Sequence, residues 1–115
     1  MQIFPLAYYL DENDQVTPIP EGDVTTIGRA LDDQRRRVAR EQVGDSEVST
    51  VFLVINHGAP WVTEPLVWET LVFGGPLDGE LTRCCGQRAD ALAMHREMVA
   101  LVRRTQLQVV TGGAK

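Results

Sequence analysis

The chain contains two histidines, His57 and His95, the side chains best suited to proton transfer at neutral pH. His57 follows a strand-like apolar segment, at a position where loops commonly present functional groups from a rigid sheet. It is predicted either to act as a general base or ligand contact, or to end the strand with a hydrogen bond to the backbone. His95 lies at the edge of a helical apolar stripe, one turn from Ala91 and Met98. That position is typical of a histidine whose hydrogen bonds are satisfied within the core or at its boundary.

Glu69 is the acidic residue whose position most needs an explanation. It stands in the middle of a predicted strand, on the same face as Leu71 and Phe73, and an unpaired buried carboxylate is costly. Three interpretations are open: a site carboxylate with a raised pKa, the solvent face of an edge strand, or a buried ion pair with an arginine such as Arg83. If Glu69 and His57 shared a cleft, they would form the acid–base pair of a small hydrolytic enzyme.

A pair of glycines, Gly74 and Gly75, ends the same strand and precedes a proline. Two glycines allow positive φ angles and close approach of the backbone, so they form either a phosphate-binding nest or a tight bend. No helix N-terminus follows to strengthen a phosphate site. A nucleotide-like anion is the ligand that such a site would take. The candidate ligand-binding residues are therefore His57, Glu69, Arg83, Gly74, Gly75 and His95.

The sequence contains none of the common catalytic or metal-binding motifs. It has no Gly-x-Ser-x-Gly, no His-x-x-x-His, no Walker loop and no triad-like spacing of serine, histidine and aspartate. The two cysteines, Cys84 and Cys85, are adjacent, so their side chains point to opposite faces of a strand and neither a disulfide nor a thiolate metal site is expected. We assign no catalytic residue, no metal and no cofactor, and we expect binding rather than catalysis.

The composition predicts a single soluble domain. The 115 residues are 43% hydrophobic and 23% charged, which suffices to bury a core without disulfides or a metal. The net charge of −5 comes from the first 23 residues, which contain five acidic side chains and no lysine or arginine. This balance argues against a nucleic-acid partner. No apolar run is long enough for a membrane span, and the N-terminus does not resemble a signal peptide, so a cytoplasmic protein is expected.

Hydrophobic periodicity predicts an α+β fold in the order β-β-α-β-β-β-β-α. An N-terminal β-hairpin precedes an antiparallel four-stranded meander, whose connections are too short for crossovers, and two helices pack on the sheet. One domain is expected over residues 1–110, with a flexible tail at 111–115. The predicted strands cover residues 4–10, 16–19, 38–43, 47–56, 66–73 and 81–85, with a last short strand at 107–110. The predicted helices cover residues 24–36 and 87–105.

The first predicted helix begins after Asp23, a good N-cap residue, and carries an apolar stripe of Val24, Ile27 and Leu31 that is expected to face the core. Its last turn contains three consecutive arginines at residues 35–37. They form either an anion-binding patch or the solvated end of the helix, where the helix dipole favours cations.

The strand predicted at residues 47–56 is apolar on both faces, and such a strand is usually covered on both sides. The helices are expected to cover one face of the sheet. The other face is left to the N-terminal hairpin or to a second copy of the protein, because a contiguous exposed apolar patch usually marks an interface. We therefore predict a homodimer.

Three segments in the middle of the chain form a recognisable pattern: VSTVFL at residues 48–53, NH at 56–57 and ETLVFGGPLDGE at 69–80. This pattern resembles a family of small uncharacterised proteins scattered through phage and prophage genomes. The chain departs from it at Val54, where the family tends to have glycine, and at Asn56, where it tends to have aspartate. The resemblance implies a phage or prophage accessory protein in the host cytoplasm, with a host protein among its expected partners, and it implies no particular chemistry.

Three functions are therefore compared. The first is a compact accessory factor that binds a host protein or itself without catalysis, which the missing motifs and the two-faced central strand favour. The second is a binder of a small molecule or nucleotide-like ligand. The third is a small hydrolytic enzyme that uses His57 and Glu69. We expect the first, with no nucleic-acid or membrane partner.

Overall fold

The computed structural model of the protein describes residues 4–58 and 64–113, and it has the α+β architecture and the element order that the sequence predicts. Two antiparallel sheets and two α-helices follow one another, with a short 3₁₀ turn, Gln34–Arg36, after the first helix. The strands are β1 (Tyr8–Leu10), β2 (Val16–Pro18), β3 (Arg37–Val43), β4 (Ser46–Phe52), β5 (Trp68–Phe73) and β6 (Leu81–Cys84). The helices are α1 (Val24–Asp32) and α2 (Arg88–Gly113).

The four strands β3 to β6 form the predicted antiparallel meander, in which each strand pairs with the next along the chain. β4 and β5 are central, and their register places Thr50 opposite Thr70 and Val51 opposite Glu69. Because residues directly opposite each other point to the same face, this register decides which side chains share a face.

α2 covers one face of the meander. Alternate residues of β4 and β5 point towards it and are fully buried, and Met98 of α2 packs against Val48 and Val72. Nearer the start of α2, the rings of Phe52 and Trp68 lie 4.8 Å apart between their centroids. Burial of each such side chain contributes about 1.5–3 kcal/mol to the free energy of folding. The layer between α2 and the meander contains most of the buried apolar side chains.

The N-terminal hairpin of β1 and β2 is a separate sheet that joins the meander just beyond the end of β4. The amide of Tyr8 donates to the carbonyl of Val54 at 2.8 Å, and the amide of Asn56 donates to the carbonyl of Leu6 at 2.7 Å. Between them the backbone turns at Val54, whose φ of 71° is rare for a β-branched residue. The hairpin therefore pairs with the chain segment that follows β4. It does not cover the face of the meander that is turned away from α2.

α1 ends four residues before the predicted boundary, because Asp33 stops it. Asp33 has an extended backbone, and its carboxylate accepts the amide of Arg35 at 2.9 Å, which starts the 3₁₀ turn. Aspartate side chains compete with helical hydrogen bonds in this way. At the other end the predicted N-cap is confirmed, since Asp23 accepts the hydroxyl of Thr26 at 2.6 Å and its amide at 3.0 Å, and these two bonds lower the pKa of Asp23.

The buried side of α1 is not the predicted apolar stripe. α1 contacts β1 of the hairpin, and the residue that it buries is Ala30, whereas Val24 is 73% exposed and Leu31 is 42% exposed. The small side chain of Ala30 allows the helix to lie close to the hairpin. Only Ile27 of the predicted stripe packs against the core.

Arg35 ties the hairpin to the segment that follows α1. Its guanidinium donates to the carbonyls of Leu10 at 2.8 Å and Asp11 at 2.6 Å, and to the carboxylates of Asp14 at 3.0 Å and Asp33 at 2.6 Å. The hydrogen bond from Arg35 lowers the pKa of Asp33. Arg35 is thus a structural tether and belongs to neither an anion patch nor a solvated helix end.

Its neighbour Arg36 is used in the same way. Arg36 donates to the carbonyls of Phe52 and Leu31, each at 2.9 Å. Only Arg37, the first residue of β3, is largely exposed. Two of the three consecutive arginines therefore hold α1 and the hairpin to the end of the meander.

α2 continues to Gly113, so the short strand predicted at residues 107–110 is wrong. Its residues favour strands, but strand propensity needs a neighbouring strand to pair with, and here the helix continues instead. The end of the predicted tail, residues 114–115, lies outside the described residues. Within the described part of the chain, no helix combines the length and apolarity that a membrane crossing requires.

The tether predicts that Arg35→Ala lowers the free energy of unfolding by about 1–2 kcal/mol at pH 7, because it leaves charged and carbonyl acceptors without their donor. The pKa of Asp33 is lowered in the folded state because its charged carboxylate binds Arg35. The stabilisation that this ion pair contributes is therefore complete above about pH 4, and it is lost as the pH falls through the lowered pKa of Asp33. Urea unfolding at several pH values measures both effects. Arg96→Ala, an exposed change on α2, is the control, and a similar loss for both variants would contradict the tether.

Candidate functional site

The face of the meander turned away from α2, which we call the open face, carries the side chains that alternate with the buried ones. In β4 and β5 these side chains are all at least partly exposed. Phe73 is 49% exposed and Leu81 is 41% exposed, so no described element packs over this part of the sheet. The open face is formed by Arg37, Arg40 and Gln42 of β3, Glu47, Ser49 and Val51 of β4, Glu69, Leu71 and Phe73 of β5, and Leu81 and Arg83 of β6.

Two ion pairs flank the apolar centre of the open face. Across β5 and β6 the Nε of Arg83 donates to Glu69 Oε2 at 2.9 Å, and across β3 and β4 the Nε of Arg40 binds the carboxylate of Glu47. The side chain of Glu69 is 15% exposed and that of Arg83 is 32% exposed. Of the three interpretations of Glu69, the ion pair with Arg83 is the one observed. Two of the candidate site residues are thus brought together, as each other's partners.

His57 lies beyond the bend at Val54, and its side chain is exposed. Its amide donates to the carbonyl of Leu66 at 2.9 Å, but the side chain that orders this loop is that of Asn56. The amide oxygen of Asn56 accepts the backbone N–H groups of Gly58 at 2.8 Å and Leu66 at 3.0 Å. Within the described residues the imidazole of His57 makes no hydrogen bond.

Gly74 and Gly75 form a tight bend. Both have positive φ, 78° and 73°, and a Cβ at Gly75 would lie 2.2 Å from the hydroxyl oxygen of Ser46. The hydroxyl of Ser46 donates to the carbonyl of Gly74 at 3.0 Å, and the amide of Gly74 donates to the carboxylate of Asp78 at 2.6 Å. The amide that an incoming phosphate would need is therefore already bound to an anion of the chain itself.

His95 belongs to a buried hydrogen-bond chain between α2 and the meander. Its Nδ1 lies 2.8 Å from the hydroxyl of Thr50, which lies 2.6 Å from the hydroxyl of Thr70 directly opposite. Its Nε2 lies 3.5 Å from a carboxylate oxygen of Glu41, which also binds Arg103. We assign the imidazole proton to Nε2, which faces this carboxylate, so that Nδ1 accepts from Thr50 and Thr50 accepts from Thr70; a proton on Nδ1 would reverse both bonds.

A hydroxyl, an imidazole and a carboxylate in sequence are the components of a nucleophilic site, but their burial prevents that use here. Thr50 and Thr70 are 0% exposed and His95 is 5% exposed. A substrate has no access to either hydroxyl. The chain instead satisfies polar groups that would be costly to bury alone. His95 lies in the core with its hydrogen bond satisfied, one of the two positions predicted for it, whereas the two threonines were missed.

The two cysteines are poor nucleophiles. Burial raises the pKa of the Cys84 thiol to about 11. Cys85 Sγ donates to the carboxylate of Glu64 at 2.6 Å, and this hydrogen bond raises the pKa of Cys85. Both thiols are therefore protonated at neutral pH. Only the deprotonated thiolate acts as a nucleophile or binds a metal. No group of three or more potential metal ligands occurs among residues 4–58 and 64–113.

Two of the hollows at the surface of the described residues are prominent, and neither is lined by the candidate ligand-binding residues. The larger, of about 610 Å³, lies between the segments 4–7 and 18–22 and is bounded by Ile27. The smaller, of about 310 Å³, lies between the end of α1 and the meander, where Leu31 and Val51 line it together. Neither hollow collects His57, Glu69 and Arg83, the set that a small-molecule site would need.

The buried hydrogen-bond chain predicts an order of stability losses. Thr50→Val leaves His95 Nδ1 and the hydroxyl of Thr70 without partners, and should lower the free energy of unfolding by about 1–3 kcal/mol. Thr70→Val removes only the outermost donor, and should lower it by about 1 kcal/mol or less. Urea unfolding of both variants is the measurement. Equal losses, or a larger loss for Thr70→Val, would contradict the direction assigned to the chain.

The thiol environment predicts slow alkylation of Cys85 and its acceleration by a change at Glu64. In a Cys84→Ser background, Glu64→Gln removes the carboxylate that raises the pKa of Cys85, so the reaction with iodoacetamide near pH 8 should become severalfold faster. Glu80→Gln, which alters an exposed turn, is the control. An unchanged rate in Glu64→Gln would show that this carboxylate does not hold the thiol.

Comparison with known proteins identifies no relative of the chain. No family model matches it, and no curated protein and no solved structure matches it significantly. The resemblance to phage and prophage proteins therefore stays a prediction from the motifs of the sequence. The features that bear on function are the open face and the hydrogen bonds that Glu69, His95 and the Gly74 amide already make.

Proposed function

We propose that the protein is an accessory factor that acts by binding protein through the open face, without catalysis. The observation that carries the proposal is the difference between the two faces of the meander. The side chains of β4 and β5 under α2 are fully buried, whereas the open face presents Leu71, Phe73 and Leu81 with no described element over them. Apolar surface of this kind is favourable to remove from water, and a protein partner removes it.

The size and composition of the open face suit a protein partner. Four strands about 4.8 Å apart and about six residues long outline a face of roughly 400 Å². Its apolar side chains, Val51, Leu71, Phe73 and Leu81, share this face with Ser49 and with charged side chains of both signs. Apolar and charged side chains occur together in this way at the interfaces of non-obligate complexes.

Three of the candidate polar groups already make hydrogen bonds within the protein, and this favours binding over catalysis. Glu69 is paired with Arg83, His95 is bonded to Thr50, and the Gly74 amide is bonded to Asp78. Each group would have to give up a structural bond before it could serve a substrate. The enzyme and small-molecule hypotheses gain no such support from either hollow.

The cellular setting of the proposal comes from the sequence. The resemblance to phage and prophage proteins implies an accessory role in a host cytoplasm, where the partner is a host protein or the protein itself. The charge supports a protein partner over nucleic acid, since the net charge of the chain is −5 and two arginines of the open face, Arg40 and Arg83, are paired with glutamates.

The proposal is tested by comparing two leucines of similar exposure. Leu81 is 41% exposed on the open face, and Leu101 is 37% exposed on α2, which lies on the other side of the meander. We expect Leu81→Ser to abolish the retention of specific proteins from a bacterial lysate, while Leu101→Ser retains them as the wild type does. Each retained protein is identified by mass spectrometry and its binding repeated with purified material.

Two results would contradict the proposal. One is retention that is equal in wild type, Leu81→Ser and Leu101→Ser, and the other is the absence of any protein that binds when purified. Circular dichroism and thermal unfolding of both variants establish that the change at Leu81 leaves the fold intact.

A further inference from the structure

Resting on the proposed function, we infer that the partner of the open face is an acidic segment of another protein. Its carboxylates would bind the arginines of the face, and its apolar side chains would pack on the leucines and on Phe73. Two features of the face point to such a partner: arginine N–H groups that make no bond within the described residues, and the position of these arginines beside apolar side chains.

The open face carries more arginine than its own glutamates neutralise. Arg37, Arg40 and Arg83 lie on it together with two acidic side chains, Glu47 and Glu69. The face is therefore positive by one charge, although the net charge of the whole chain is −5. Charges more than about 8 Å away are largely screened at physiological ionic strength, so a bound segment meets chiefly the charges of the face itself.

The guanidinium groups of the face have N–H donors to spare. Arg37 is exposed, and its side chain makes no hydrogen bond or ion pair within the described residues. Arg40 and Arg83 each bind a glutamate through Nε, while their terminal N–H groups make no bond to a described residue. A guanidinium binds a carboxylate through two parallel hydrogen bonds. The carboxylate of an aspartate or glutamate is therefore the group that complements this surface.

The strand register places these arginines beside the apolar side chains. Two neighbouring rows of residues cross the four strands in order: Arg37, Val51, Glu69 and Arg83 in one row, and Arg40, Ser49, Leu71 and Leu81 in the next. The unpaired guanidinium and that of Arg40 thus lie on β3, whereas the exposed leucines lie on β5 and β6. Two strand spacings, roughly 10 Å, separate β3 from β5. A segment that fits presents acidic and apolar side chains separated by the same distance.

The hollow beside Arg37 limits where the carboxylate can bind. Arg37 lines this hollow together with Asp32 and Asp33 of the segment that ends α1. Asp33 is bonded to Arg35, but Asp32 makes no side-chain bond within the described residues and would repel a second carboxylate. We therefore expect the partner carboxylate over β3, on the open face, and outside the hollow.

The size of the open face suits a short segment and a weak complex. A face of roughly 400 Å² and an equal area of the partner give on the order of 800 Å² buried in total. Interfaces of this size are typical of weak and transient complexes. The dissociation constant is accordingly expected to be micromolar or weaker.

The test is a selection of random short peptides displayed on phage against the immobilised full-length protein. We expect the enriched peptides to be acidic and to contain large apolar residues. Their dissociation constants, measured with synthetic peptides by fluorescence anisotropy, should rise at least about fivefold in Arg37→Gln and further in Arg37→Glu. Arg37→Gln leaves both ion pairs of the face in place, and Arg40→Gln is a second variant in case it does not fold. Arg96→Gln, on α2, is the matched control and should bind as the wild type does.

Three results would overturn the inference. The first is a selection that enriches neutral or basic peptides, or none. The second is equal binding of the acidic peptides to wild type, Arg37→Gln and Arg40→Gln. The third is complete displacement of the peptides by millimolar inorganic phosphate at constant ionic strength, which would show a site for small anions in place of one for a protein segment.

Failure of the inference can be distinguished from failure of the proposed function with the lysate assay. Proteins that are lost by Leu81→Ser but kept by Arg37→Glu would show that the open face binds protein without selecting acidic segments. In that case only the inference fails. Retention that does not depend on Leu81 would instead remove the proposed function.

Discussion

The pairing of β4 with β5 is the constraint on which the rest of the structure depends. Its register places Thr50 opposite Thr70 under α2, and Val51 opposite Glu69 on the open face. Because side chains alternate along a strand, a shift of one residue would exchange the two sets and move the buried side chains into water. The buried hydrogen-bond chain, the ion pair of Glu69 and the uncovered apolar patch are consequences of this one register.

Much of this arrangement was predictable, since it depends on local patterns. Alternation and turn residues identified the hairpin, the meander and the order of the elements, and Asp23 was recognised as the cap of α1. The pairing of Glu69 with Arg83 was among the interpretations because a carboxylate in an apolar strand needs a partner. These predictions required only the periodicity of the chain and the chemistry of single side chains.

What was not predictable depends on tertiary contacts. The stripe on α1 indicated the wrong buried side, because a close approach to the hairpin selects the small side chain of Ala30. The chain of Thr50, Thr70 and His95 needs the strand register and the position of α2 together, and a threonine between valines is ordinary in any strand. Arg35 could not be identified as a tether, because its acceptors are carbonyls and carboxylates brought near only by folding.

The bend at Val54 has a consequence for how this protein tolerates change. A β-branched residue at positive φ is strained by about 1–3 kcal/mol, and here it persists because the side chain is completely enclosed, with 0% of it exposed. Glycine at this position would remove the backbone strain but also the packing contacts of the valine side chain. A larger side chain would keep the backbone strain and would also disturb the packing. The junction between hairpin and meander is thus a local compromise in which neither backbone nor side chain is at its own optimum. A substitution at Val54 therefore improves either the backbone or the packing at the expense of the other.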